Sequence, residues 1–81
     1  MSDQKPTVGR IVHYFPLSFA ADGVTQIPGE PAAAIIVHVH KDGTVNLQAF
    51  FKLSAGSYFY PRVSQGDGPC QWNWPKKAAG L

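Results

Sequence analysis

The chain has 81 residues, of which 44% are apolar and 15% are charged, and its formal net charge is +2. A chain of this length has room for one domain, which hides about 60% of the surface that its unfolded chain exposes, so we expect a partner or further copies to stabilise it. So weak and scattered a positive charge argues against a basic surface that binds nucleic acid. The single Cys70 excludes an internal disulfide and a cysteine-rich zinc site.

The first predicted strand is GRIVHYF, residues 9–15, which is rich in β-branched and aromatic residues and is closed by Pro16. Residues 1–7 before it are predicted to form a flexible arm. After it, LSFAADGVTQIPGEP contains two Gly and two Pro residues, which predict a long loop or an irregular hairpin over residues 17–31.

The most regular pattern is a central hairpin, in which residues 35–40 and 45–52 alternate on either side of the turn HKDGT. Asp42 and Gly43 tolerate the left-handed backbone that tight turns need. The apolar positions that we predict to fill the core from the first of these strands are Ile35, Val37 and Val39.

Two further strands are predicted near the end of the sequence. YFYPRV, residues 58–63, contains Pro61, which lacks a ladder donor and so places this segment at a sheet edge or a bulge. QWNW, residues 71–74, is short but β-prone, and residues 76–81 are predicted to form a flexible tail.

Five strands within one domain over residues 8–75, with a long first connection and a tight turn between strands two and three, predict an all-β fold, a small SH3-like barrel. An OB-like barrel is the alternative. That fold usually places a helix between its third and fourth strands, and KLSAGS is too short to hold one, so the SH3-like barrel is favoured.

Three segments, GRIVHYF, PAAAIIVHVHKDGTVNLQAF and GDGPCQWNWP, resemble a family of small, uncharacterised tailed-bacteriophage proteins. The resemblance covers roughly residues 9–75 and implies a phage gene product, without an activity to carry over. The family's closing Trp-His-Trp is Trp-Asn-Trp here, with Asn73 at its centre, so a histidine at that position is not essential to this protein.

The histidines His38 and His40 lie two residues apart on a predicted strand and therefore share one face. With His13 as a third ligand they could chelate one ion. No spacing typical of a metalloenzyme recurs, so we expect no metal and place the three histidines on a polar surface or at an interface.

The last two predicted strands are rich in aromatic residues. If they pair, one wall of rings and a guanidinium forms, which is the candidate binding surface. Its members are Tyr58, Tyr60, Arg62, Trp72 and Trp74. Such a wall could stack bases, bind a partner or pack against another copy. The alternative is that one Trp and one or two Tyr residues belong to the core.

The sequence predicts neither an enzyme nor a cofactor, because it contains no nucleophile-elbow pattern, and Cys70 follows Pro69 instead of opening a helix. We expect a phage accessory protein, a structural or interaction barrel that decorates the virion or docks on a larger phage or host protein. The alternative is an oligomeric module that sequesters a small anionic, nucleotide-like molecule, and single-stranded nucleic-acid binding is the weaker candidate. Without a membrane-spanning segment or a signal sequence, we expect the host cytoplasm or the virion as its location.

Overall fold

The structure is a computed structural model that describes residues 5–52 and 55–75, and this part of the chain forms seven strands and no helix. The predicted tail over residues 76–81 and residues 1–4 of the predicted arm lie outside the described residues. The strands are β1 (Ile11–Phe15), β2 (Leu17–Phe19), β3 (Gln26–Pro28), β4 (Ala32–Val39), β5 (Val45–Phe50), β6 (Ser57–Val63) and β7 (Gln71–Asn73).

Five of the strands form one antiparallel sheet in the order β6-β5-β4-β1-β7, which curls into a half-barrel. The two edges approach each other where Trp72 N–H donates to the Ser64 carbonyl at 3.1 Å and Gly66 N–H donates to the Trp72 carbonyl at 2.8 Å. The prediction of an all-β chain built as a small barrel is confirmed. Consecutive strands are neighbours and the last returns beside the first, an order that differs from the Greek key of an OB-fold.

The predicted loop or irregular hairpin between the first two main strands is a hairpin, formed by β2 and β3 as a separate two-stranded sheet. Its turn is held by Asp22, whose carboxylate accepts the N–H groups of Val24 and Thr25, each at 2.9 Å. Gly23 adopts φ 74°, a conformation that glycine tolerates without a steric cost. Several large side chains of this hairpin are exposed: Leu17, Phe19, Val24 and Ile27.

The core lies on the concave side of the half-barrel. Each strand of the five-stranded sheet contributes side chains from one of its two faces to it. Its fully buried members include Val12, Ile36, Val45, Leu47 and Trp72. Tyr14, which is 3% exposed, stacks on Tyr60 with 4.4 Å between ring centroids, so the core also joins strands from opposite sides of the sheet.

The prediction that Ile35 and Val37 fill the core is wrong. Ile36 is fully buried, whereas Ile35 is half-buried and Val37 is 42% exposed. The reason is a β-bulge at Val37: Ile36 pairs with Leu47 but His38 pairs with Asn46, so β4 carries one extra residue there. Only after this bulge does the predicted phase apply, and Val39 packs against the core.

The prediction that Pro61 marks an edge or a bulge is confirmed on both counts. β6 is an edge strand of the sheet, and its register shifts between Tyr60, which pairs with Leu47, and Val63, which pairs with Val45. Pro61 and Arg62 together occupy the space of one residue, and Arg62 adopts φ 51°, a left-handed conformation that is uncommon outside glycine.

Candidate functional site

A crevice of about 530 Å³ lies at the end of the half-barrel where β4 turns into β5. Two strands and a turn supply its side chains: β4 provides His38, the HKDGT turn adds His40, Lys41 and Asp42, and the bulge of β6 adds Arg62. The rings of His38 and His40 meet edge to face with centroids 4.6 Å apart, which confirms that these two residues share one face.

Asn46 holds this arrangement together from the intervening strand β5. Its Oδ1 accepts the backbone N–H of Arg62 at 3.0 Å and lies 2.8 Å from Nε2 of His40. Because Oδ1 is an acceptor for Arg62, the Nε2 of His40 is the donor in the second contact. A neutral His40 therefore presents a lone pair at Nδ1, and a protonated His40 presents an N–H there.

Asp42 is the acidic side chain at the rim of the crevice. It accepts hydrogen bonds from the Thr44 hydroxyl at 2.6 Å and the Thr44 N–H at 2.9 Å, and these bonds lower the pKa of Asp42, with a smaller contribution from Arg62. Its contact with Arg62 is long, 3.7 Å between Oδ2 and Nη1, and both side chains are more than half exposed. An ion pair of this length and exposure holds the guanidinium only weakly.

His13 does not join the other two histidines. It lies opposite Ala33 in the register of β1 and β4, five residues along β4 from His38, which corresponds to roughly 16 Å of strand. Its other neighbour across the sheet is Asn73 of β7. Within residues 5–52 and 55–75, no group of three or more His, Cys, Asp or Glu side chains is placed to hold a metal ion.

The proposed aromatic wall is divided by the fold, because β6 and β7 lie at opposite edges of the sheet instead of pairing as strands. Trp72 is fully buried and Tyr60 packs against the core, as the alternative of core aromatics predicts. Tyr58 is 49% exposed, and Trp74 carries the guanidinium of Arg10 over its ring at 4.7 Å. The bulge sends the fifth member, Arg62, to the histidine crevice.

The convex side of the sheet forms a second candidate surface, which we call the outer face. The strand register places its side chains in two rows across four strands, since the residues of each row pair directly. The rows are Ile11, Ile35, Gln48 and Phe59, and His13, Ala33, Phe50 and Ser57. Ile11, Phe50 and Phe59 are 61%, 45% and 54% exposed.

An apolar groove of about 850 Å³ adjoins the outer face and shares Ala33 and Phe50 with it. Pro16, Pro31 and Phe51 line the rest of its apolar part. At its rim, the Lys52 ammonium lies 2.8 Å from the carboxylate of Glu30, and both side chains are well exposed. The apolar surface therefore continues from the sheet into this groove.

Sequence reasoning missed Asn46 and the outer face. Asparagine is depleted in strand interiors, so its position between Val45 and Leu47 was a signal that its side chain serves a specific contact. The outer face had a signal too, because Phe50 follows the alternating run of β5 at a position opposite in phase to the core.

Comparison of the chain with protein-family models, curated proteins and solved structures gives no match. In the part of the chain that the structure describes, no helix has the length and apolar character to cross a membrane.

Proposed function

We propose that the protein is a non-enzymatic phage accessory protein, a small interaction barrel that assembles with further copies of itself and docks on a larger phage or host assembly. The observation that carries the proposal is the outer face, where Ile11, Phe50 and Phe59 are each about half exposed and lie in two adjoining rows, with Ile35 and Gln48 between Ile11 and Phe59. Contiguous exposed apolar residues of this kind are typical of protein–protein contact surfaces. The phage assignment rests on the resemblance described above.

A second copy of the chain is the occupant that the outer face fits best. Its two rows contain no Lys, Arg, Asp or Glu, and His13 is the single titratable member. In a two-fold symmetric dimer each patch meets itself, so a charged patch repels its own copy and an uncharged one does not. An uncharged face also lacks the electrostatic complementarity by which it could select a different protein as its partner.

The size of the outer face indicates how far this contact extends. Four strands at about 4.8 Å spacing and three residues at about 3.3 Å give a face of roughly 19 by 10 Å. A standard interface buries about 800 Å² on each partner, so the contact must continue into the adjoining groove around Phe50 and Phe51.

The test of self-association is light scattering over a range of concentrations. We expect the wild-type protein to form a dimer or larger oligomer, and Phe59→Ser to weaken it by ~2 kcal/mol, or about 30-fold in Kd, because Phe59 stands in the apolar row of the face. The matched control is Phe19→Ser, which removes the same side chain at 51% exposure on the β2–β3 hairpin. A wild-type protein that stays monomeric at all concentrations, or equal effects of the two variants, would contradict the proposal.

The phage part of the proposal has its own experiment. Mass spectrometry of purified particles should find the protein in a fixed ratio to the capsid or tail proteins if it decorates the virion. If it docks on a host protein instead, the particles will lack it, and affinity purification from infected cells should recover one host partner. Failure of both experiments would reject a docking role.

A further inference from the structure

We propose that the crevice between the β4–β5 turn and the bulge of β6 binds the phosphate group of a small anionic ligand. The groups that recognise it are the guanidinium of Arg62, the ammonium of Lys41 and the imidazoles of His38 and His40. This inference is independent of the outer face and of the self-association proposed above.

Cationic donors from separate parts of the chain converge on this crevice. Lys41 and Arg62 are 21 positions apart in sequence, and the hairpin and the bulge bring both to one crevice with the two histidines. Its volume of about 530 Å³ lies within the range of small-molecule sites. A guanidinium presents paired N–H donors that match two oxygens of a phosphate, and an ammonium adds a point charge.

The backbone bulge in β6 places Arg62 at the crevice. Strand alternation from Tyr60, which packs on the core, would send residue 62 inward and residue 63 outward. The bulge reverses this, burying Val63 and placing Arg62 outside at φ 51°. A left-handed backbone at a residue other than glycine is unfavourable, and such positions cluster at binding sites. Here the Arg62 N–H bond to Asn46 holds the conformation.

The guanidinium of Arg62 makes only a weak ion pair with Asp42. Its contact with Asp42 is 3.7 Å long, whereas Asp42 makes its short hydrogen bonds to Thr44. A phosphate would therefore meet a guanidinium that needs little reorganisation, and Asp42 would oppose the ligand through its negative charge. Removal of that charge should strengthen binding.

The crevice holds one acidic side chain among its cationic and imidazole groups. His38 lies on β4, His40, Lys41 and Asp42 lie in the turn after it, and Arg62 lies on β6, while β5 contributes the neutral Asn46.

Calorimetric titration of the full chain with inorganic pyrophosphate at pH 7 tests the site. We expect saturable binding at one ligand per chain, about tenfold or greater loss with Arg62→Gln, and a several-fold gain with Asp42→Asn, in which the amide oxygen still accepts from Thr44. Lys52→Gln is the matched control, because it removes the same charge at the rim of the distant groove, and it should change affinity less than twofold.

Amide chemical shifts in NMR spectra verify that each variant is folded. The proposal is overturned if Arg62→Gln and Lys52→Gln weaken binding equally, which indicates non-specific attraction, or if neither Arg62→Gln nor Asp42→Asn changes the affinity.

Discussion

Replacement of Trp72 gives the sharpest test of how the barrel is held closed. The side chain of Trp72 is fully buried, and the residue lies opposite Tyr14 in the register of β1 and β7. Its backbone forms the hydrogen bonds to Ser64 and Gly66 that close the barrel. Truncation of a buried Trp to Ala typically costs 3–5 kcal/mol. A domain of this length has a free energy of unfolding of about 4–12 kcal/mol, so Trp72→Ala should remove a quarter or more of the stability.

Trp72→Phe separates packing from hydrogen bonding at the same position. Among the described residues, the buried Nε1–H of Trp72 has no hydrogen-bond partner, which costs about 1–3 kcal/mol. Phenylalanine removes this donor but leaves a smaller ring, and the two effects oppose each other, so we expect a net change below about 1.5 kcal/mol.

Urea unfolding measures both variants, with the fluorescence of Trp74, the second of the two tryptophans, as a probe that all three proteins retain. A loss above 3 kcal/mol in Trp72→Phe would mean that Nε1 is satisfied in solution. A loss below 1 kcal/mol in Trp72→Ala would refute the assignment of Trp72 to the core.

Two further predictions concern the core and its closing loop. Burial raises the pKa of Tyr14, so the folded state favours the neutral phenol. The stability that the neutral phenol contributes is complete below about pH 10 and is lost as the pH rises further. Above pH 10 the Tm should therefore fall less in Tyr14→Phe than in the wild type. Gly66→Ala would place its Cβ against the side-chain amide of Gln71, which accepts the Gly68 N–H at 2.9 Å. We expect a loss of about 0.5–1.5 kcal/mol in urea unfolding, whereas Gly56→Ala, with open space around its Cβ, should change stability little; equal effects would contradict the contact with Gln71.

The elements that the sequence predicts well are those decided by local chemistry. The HKDGT turn follows from Asp42 and Gly43, and the structure has Gly43 at φ 93° with the Asp42 carboxylate bonded to Thr44. Pro61 predicts an edge or a bulge because it lacks an N–H, and this depends on no distant residue. The adjacency of His38 and His40 needs just the two-residue period of a strand.

The core face of β4 could not be predicted because both of its faces are apolar. Ile35 and Ile36 satisfy either phase of the alternation equally, and the choice between them is made by packing against Leu47 and Val12 on neighbouring strands. No local signal marks Val37 as the bulged residue. The same surplus of apolar residues supplies the outer face, since Ile35 must lie outside once Ile36 is buried.

The aromatic wall rests on two assumptions that the fold does not meet. Grouping Arg62 with Tyr58 and Tyr60 assumes strict alternation along β6, and the extra residue in the bulge breaks it. Pairing of the last two predicted strands assumes that β7 lies beside β6 in the sheet, whereas it pairs with β1 at the other edge. Pro61 is a local signal for the bulge, but the position of β7 is set by tertiary structure.

The two bulges face each other across Asn46, one in β4 at Val37 and one in β6 at residues 61–62. Bulges increase the local twist and bend of a strand, so this pair contributes to the curl that wraps the sheet around its core. The same pair turns His38 and Arg62 toward one crevice. Curvature and candidate anion site therefore share one backbone feature, and removal of the Asn46 amide would disturb both. Arg62→Gln and Asp42→Asn alter the charge of the crevice and leave the Asn46 hydrogen bonds in place. These two variants therefore separate ligand recognition from folding, whereas an Asn46 variant would change both.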